Sequence, residues 1–385
     1  MLCTVRASVA TGLEFLAAEE VKEKLSITNV EEGRGYICWK MDSSSAKEAL
    51  TMKIIDHVEI VMSRHKVHFS SDSKEAIEQL AALVPLVDWK IGLEVWSSVS
   101  DFGHHVSELP ATEQTPNMRM LPMPRYRATC YRTGAEHKFS SPEVSHRLGG
   151  VIQDRFGWQV NLTDFDIEVV ISIVDEDVTF GMALTKKSLY HRNVSQFAKT
   201  TLKANISAAL LRLANIQAGD VVLDPMCGSG SITLEGAVEH PKAFHMAADE
   251  QEYCVECTRT NILALDAKRQ ANKLSSLNAG VMRWDATNLP LQTASINAIV
   301  TDLPFGKRMG TKTDNRKLYP LFLVEAARIT IPGSGRAILL SADKNCMRRV
   351  LPKVREWWVV PRTTFLNHGG IRSCIYVLRR TAKIW

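Results

Sequence analysis

The chain has 385 residues, 45% of them hydrophobic and 23% charged, an ordinary globular composition with room for two or three domains that excludes collagen-like, wholly disordered and disulfide-scaffold classes. Its 47 basic and 42 acidic residues leave a formal net charge of only +5. The distribution says more: residues 1–194 hold 21 Lys/Arg against 27 Asp/Glu, residues 195–385 hold 26 against 15, and from Asp302 onward the ratio is 17 to 5, which points either to a polyanionic partner or to a basic solvated face.

In chain order, residues 2–8 alternate like a strand, and Thr11-Gly12-Leu13-Glu14 reads as a capping box opening a helix through Leu25. Strand-like runs follow at 34–40 and 57–63 with a helix near 43–53 between them, so residues 1–65 are expected to form a ferredoxin-like unit. A second unit, 66–192, is predicted from a helix at 73–84, a strand Tyr126–Arg132, a helix near 141–157, and a hairpin of Ile167–Val174 and Val178–Thr185 turning at Asp175-Glu176-Asp177. Within it, 103–124 carries four prolines and is read as a loop.

From about 193 to 385 strands alternate with helices. Strands are expected at Val221–Asp224, His245–Asp249, Val281–Trp284, Ala298–Asp302 and Arg336–Ser341, with helices from 230, over 252–266 and over 317–330, and two late strands near 357–360 and 373–379. That alternation predicts a doubly wound, mainly parallel α/β sheet, which binds ligands beyond the carboxyl ends of its strands. The first 25 residues carry four glutamates and no secretory layout, and no apolar run approaches a membrane span, so no membrane association and a cytoplasmic location, with a nuclear pool left open, are the expectation. Eight scattered cysteines read as reduced thiols; Cys254 and Cys257 form a lone Cys-x-x-Cys that shares a helix face, and no metal site is expected.

The first α/β strand runs into Pro225-Met226-Cys227-Gly228-Ser229-Gly230. Small residues at 228–230 let backbone approach a ligand at a helix N-terminus. Thr233 stands where a nicotinamide-binding loop needs its third glycine, and no Gly-Lys-Ser/Thr is present. Asp249 ends the second strand, placed to take the hydroxyls of a ribose, and Asp285 with Ala286 follows the third, where an adenine amine would need an acceptor. Each acid alone also reads as a helix cap. Three in succession after a small-residue loop predict an S-adenosylmethionine site.

The fourth strand ends Thr301-Asp302-Leu303-Pro304-Phe305. An exocyclic base amine is a poor nucleophile, so its methylation needs acceptors for the amine hydrogens and a surface to hold the base. Asp302 offers a carboxylate, Leu303 a carbonyl held extended by Pro304, and Phe305 a stacking ring. A carboxylate matches the paired donors of guanine better than adenine.

At these residues the chain resembles the THUMP-domain tRNA guanosine N2-methyltransferases, through Asp224–Gly230, the run Thr301–Gly310, the N-terminal Val9–Glu14 and the segment Ser188–Asn193. The resemblance covers nearly the whole chain. It implies a ferredoxin-like domain, a THUMP domain that grips tRNA, and a class I (Rossmann-like) methyltransferase domain making N2-methylguanosine in the acceptor stem, typically at the sixth nucleotide. It also implies a heterodimer with a small zinc-binding activator subunit. Carried across, Thr201, Asp224, Pro225, Cys227, Gly228, Ser229, Gly230, Asp249, Asp285 and Ala286 would hold the cofactor, and Asp302, Leu303, Pro304 and Phe305 the guanine.

Candidate RNA contacts are Lys307, Arg308, Lys312, Arg316 and Lys317 beside the reaction loop, and Arg125, Arg127 and Arg132, interleaved with Tyr126 and Tyr131. The basic residues nearer the C-terminus are read as a solvated face. An N6-adenine or protein-amide methyltransferase, and an RNA-binding module with an inactive methyltransferase core, remain alternatives.

Overall fold

The computed structural model describes residues 1–115, 117, 122–134, 137–198, 201–305 and 312–385. The chain divides into two compact units, Met1–Val9 with Ala17–Leu189, and Ala10–Leu16 with Tyr190–Trp385. No helix among the described residues is long and apolar enough to cross a membrane.

The first unit holds β1 (Leu2–Val9), β2 (Val30–Gly33), β3 (Tyr36–Asp42), β4 (Ile55–Lys66), β5 (Arg125–Thr133), β6 (Gln159–Val160), β7 (Ile167–Val174) and β8 (Asp177–Ala183). They form one sheet in the order β2-β3-β1-β4-β8-β7-β5-β6. β4 joins its two parts: it pairs with β1 on one side and, from Glu59 to Lys66, with β8 on the other. β7 is buried along seven of its eight residues, Ile-Glu-Val-Val-Ile-Ser-Ile, because it is an interior strand covered on both faces. Helix Ser141–Phe156 opens with a reciprocal capping box between Ser140 and Glu143 and stops at Gly157, whose φ is 74°. Phe156 stacks on Trp158 at 4.5 Å between ring centroids, and Tyr126 and Trp89 pack edge-on against that pair.

Several local expectations change. Glu14 does not open the first helix through Thr11; its carboxylate accepts from the Gly12 N–H at 2.7 Å, while Thr11 pairs with Asn367 in an isolated bridge. Asp177 is the first residue of β8 and pairs with Val174, so the turn is Asp175-Glu176 alone, with Asp175 at φ 53°. The helix Trp89–Val99 and the short strands β2 and β6 were not expected.

The second unit holds β9 (Val221–Asp224), β10 (Phe244–Asp249), β11 (Ala279–Arg283), β12 (Ala298–Asp302), β13 (Arg336–Ser341), β14 (Trp358–His368) and β15 (Ile371–Arg380). Their order is β11-β10-β9-β12-β13-β15-β14, parallel from β11 to β13 and antiparallel in the β15–β14 hairpin. This is a Rossmann-like sheet whose direction of winding reverses between β9 and β12, the switch point where such folds open a crevice. β14 runs well past the expected 357–360 because it pairs along β15 through Gly369 and Gly370, both at positive φ, the conformation a two-residue hairpin turn requires. Core side chains Leu223, Ile299, Leu339, Phe322 and Tyr319 come from successive strands and from the helix Lys312–Ile329.

Candidate active site

Three of the predicted acids stand at the last residues of adjacent strands. Asp224 closes β9, Asp249 closes β10 and Asp302 closes β12. β9 lies between the other two, so these carboxylates border the switch point.

Asp224 is buried and accepts a hydrogen bond from the Thr301 hydroxyl at 2.7 Å and from the Met226 N–H at 3.3 Å. Burial pushes its carboxyl up to about 7, with the nearby Asp249 adding to the shift and the two hydrogen bonds opposing it. Asp249 accepts from the Gly228 N–H and the Gln251 N–H, each at 3.0 Å. The loop between is tightly folded: Gly228 has φ 56° and Gly230 φ 82°, and a Cβ on Gly230 would meet the Thr258 methyl at 2.7 Å. Only glycine fits position 230. Helix Ser231–Glu239 begins there with no side-chain cap, which leaves its first N–H groups facing the loop.

Two supports of this loop lay outside the sequence reading. Thr258 donates to the Gly228 carbonyl at 3.0 Å. Asn261, fully buried, donates to the Ser229 and Gln196 carbonyls at 2.9 Å and accepts from the N–H groups of Ser195 and Gln196. Both lie on helix Glu252–Ala271, on the face shared by Cys254 and Cys257; a buried Cys-x-x-Cys-Thr-x-x-Asn stripe is the signal that could have found them. All eight cysteines are free and buried, and burial raises Cys254 to about 11. Thr201 meets the loop from the other side, accepting from the Ser229 hydroxyl at 3.0 Å. Cys227 is buried against Thr258, and its N–H bonds to the Ala248 carbonyl at 2.9 Å. Pro225 begins the turn.

Asp285 follows β11, exposed, with one carboxylate oxygen accepting from the N–H and hydroxyl of Thr287 at 2.8 Å. Ala286 beside it is buried.

Asp302 differs from the other acids. Its Oδ1 is completely covered yet has no hydrogen-bond partner among the described residues. Burial, and then the proximity of Asp224, hold its carboxyl well above the usual range. A desolvated acceptor left empty is costly, which makes this oxygen a candidate to receive a donor. Leu303 is buried with its N–H on the Leu340 carbonyl at 2.9 Å, and the Pro304 carbonyl accepts from the Tyr319 hydroxyl at 2.8 Å. That hydroxyl also bonds Ser341 at 2.9 Å. Tyr319 and Ser341 were not among the predicted residues, and no local signal marks them. Phe305 is half-buried.

The predicted RNA contacts separate into three groups. Lys307 and Arg308 lie outside the described residues, as does the side chain of Lys312. Arg316 and Lys317 are exposed on the helix Lys312–Ile329. Arg125, Arg127 and Arg132 lie in the first unit and are engaged there: Arg125 pairs with Asp166 and Asp164, Arg127 with Glu168 while lying 3.9 Å over Phe165, and Arg132 donates to the His137 carbonyl. Tyr126, expected as an interleaved contact, is fully buried in the core, whereas Tyr131 is exposed. A cleft of about 630 Å³ in this unit is lined by Trp96, Phe102, Arg125, Phe165, Asp166 and Glu168. Arg125, Asp166 and Glu168 are already paired there, and none of the strand-end acids borders it.

Comparison with known proteins bears on this geometry. A model of the RMKL-like methyltransferase domain matches residues 192–370 and a THUMP domain model matches 110–182. The tRNA (guanine(6)-N(2))-methyltransferase THUMP3 of Bos taurus is 34% identical over 450 residues, covering 99% of this chain and 89% of that protein. The chain belongs to the THUMP3 family of methyltransferases. The human THUMP3 protein is 32% identical over 452 residues, with 100% of this chain and 89% of that protein covered. The crystal structure of TrmN from Thermus thermophilus shares the fold of this THUMP3 relative, with a TM-score of 0.75 at 23% identity over 98% of this chain and 99% of that one.

Proposed function

We propose that the chain transfers a methyl group to the N2 amine of a guanosine in the tRNA acceptor stem, at the sixth nucleotide as in the names of its relatives. S-adenosylmethionine is the cofactor. Asp249 would take its ribose hydroxyls, Asp285 and the Ala286 N–H its adenine edge, and the Gly228–Gly230 backbone with Thr201 its amino-acid end. The φ-positive glycine loop fits such a group, since its turn leads into a helix N-terminus with no side-chain cap. When bound it supplies a methyl group on a sulfonium.

The chain's own residues prepare the nucleophile. Guanine presents N1–H and N2–H₂ to a single carboxylate, and the empty Oδ1 of Asp302 is the observation that carries the assignment. Those donors replace the missing solvation of Asp302, which draws its carboxyl down and lets it sit ionised against the base. The Leu303 carbonyl takes the second amine hydrogen, and Phe305 stacks on the ring. When the amine receives the methyl group, Asp302 would accept the proton that the nitrogen releases.

A small zinc-binding activator completes the proposed enzyme. β11 is an edge strand with no neighbour beyond it among the described residues, and Phe244, 38% exposed, lies against its Gly280. Such an edge is open to pairing with another chain. The test is transfer of labelled methyl groups into total tRNA, with and without the activator, followed by nucleoside analysis and mapping. N2-methylguanosine at the sixth nucleotide is expected. Label in N6-methyladenosine or in protein refutes the reading, and full activity without the activator refutes the heterodimer.

A further inference from the structure

The basic excess after Asp302 has a specific location. Helix Lys312–Ile329 and helix Lys344–Val350 meet at Cys346, whose thiol donates to the Asn315 carbonyl at 3.4 Å. Asn315 in turn donates to Asp343 at 3.2 Å. Arg316 follows Asn315 on the first helix and Arg349 lies one turn beyond Cys346 on the second, so the Cys346–Asn315 contact brings their two turns together, and both arginines act to lower the pKa of the buried thiol. Arg348 is exposed beside Arg349, and Lys317 beside Arg316. None of these four makes an ion pair among the described residues, unlike Arg125, Arg127 and Arg192 in the same chain. Asp343 is not available to them: it caps its helix by accepting from the Cys346 N–H at 3.0 Å and is bridged to Asn315. Asp314 is the exposed acid on these turns, one against four cations.

This pair of helices is also tied to the loop after β12. The Asp343 N–H donates to Ser341 at 3.0 Å, Ser341 bonds the Tyr319 hydroxyl, and that hydroxyl holds the Pro304 carbonyl. These hydrogen bonds tie both helices to the backbone two residues beyond Asp302. Guanidinium groups match phosphate oxygens in a bidentate fork. A paired guanine must also be flipped out before it can reach Asp302, at a cost of a few kcal/mol that backbone contacts have to offset.

We propose that Arg316, Arg348 and Arg349 form a seat for the RNA sugar-phosphate backbone, placed by the Tyr319–Ser341–Asp343 chain to register the strand against the 302–305 loop. The seat assigns a binding role to the helix Lys344–Val350, whose arginines look in the sequence like an ordinary solvated face. It rests on the reading that this chain acts on RNA.

The test is a titration of fluorescent tRNA transcript across roughly 50 to 200 mM salt, using full-length wild type, the double variant Arg348→Ser/Arg349→Ser, and Arg348→Lys/Arg349→Lys. Each phosphate contact releases about 0.7–0.9 counterion. The serine variant should therefore bind roughly ten-fold more weakly at low salt, with the slope of log Kd against log salt shallower by about 1.5. Cofactor binding and melting temperature should be unchanged, and the lysine variant should restore most of the slope. Wild-type affinity and slope in the serine variant overturn the seat, as does a loss that lysine does not restore while melting temperature falls. If wild type binds tRNA with the expected slope changes but labels a nucleoside other than N2-methylguanosine, the proposed function fails and the seat stands. RNA that wild type does not bind at any salt refutes both.

Discussion

Replacing Asp224 with asparagine tests whether the buried acids at the switch point strain the fold. The carboxyl of Asp224 rises from 3.8 to about 7, chiefly through burial, while an unfolded chain ionises it near 3.8. Between those values the folded protein keeps a proton that the unfolded chain has released, so stability falls as pH rises through the window. Above about 7 both states are ionised and the loss is complete. At 1.36 kcal/mol per unit, the penalty in wild type is about 1.5 kcal/mol at pH 5 and about 4 kcal/mol at pH 8, as upper bounds. Asparagine can still accept from Thr301, and it does not titrate. Any fixed cost of the amide cancels in the comparison between pH values. The variant should gain about 2.5 kcal/mol over wild type on going from pH 5 to pH 8, roughly 5–10 °C in melting temperature for a unit of this size. Loss of the Asp224 charge also relieves Asp302, which works in the same direction. Urea denaturation of both proteins at the two pH values, without cofactor, measures the difference. A stability gap between variant and wild type that is the same at pH 5 and pH 8 refutes the reasoning.

Asp302→Ala should lower methyl transfer by about 10²–10³-fold while leaving tRNA and cofactor affinity within about twofold; rate constants from single-turnover labelling decide it, and undiminished transfer removes Asp302 from the chemistry. Tyr319→Phe deletes the hydroxyl that bonds the Pro304 carbonyl and Ser341. It should cost about 1 kcal/mol of stability and lower kcat with the cofactor KM unchanged, whereas equal effects on both would make Tyr319 merely structural. Arg192→Ala leaves the fully buried Glu235 without its bidentate partner, with Asn193 at 2.7 Å its remaining partner among the described residues. A loss of about 3–5 kcal/mol in urea denaturation is expected, and a loss below about 1 kcal/mol contradicts it.

Much of the second unit was legible locally. β9, β12 and β13 keep their expected bounds because each is an interior strand whose apolar run is covered by neighbours on both sides. The positions of Asp224, Asp249 and Asp302 at strand ends follow from those boundaries. The supports of the loop were not legible. Thr258 and Asn261 look like any polar residues on a helix, and only docking against residues 228–229 makes them hydrogen-bond partners. Likewise β14 was cut short, since its length is set by pairing with β15 rather than by its own composition.

The charge pattern shows the division most clearly. The sequence by itself determined that the net positive charge lies from Asp302 onward, and that Asp302 closes an apolar strand ahead of Leu-Pro-Phe. It could not determine which cations are free. Arg125 is spent on Asp166 and Arg127 on Glu168, each 41 residues further along the chain, while Arg316, Arg348 and Arg349 make no ion pair among the described residues. Nor could it show that the Oδ1 of Asp302 is buried without a donor. Periodicity and residue type are properties of neighbours in sequence, whereas pairing and desolvation depend on groups that only the folded chain brings within a few ångströms.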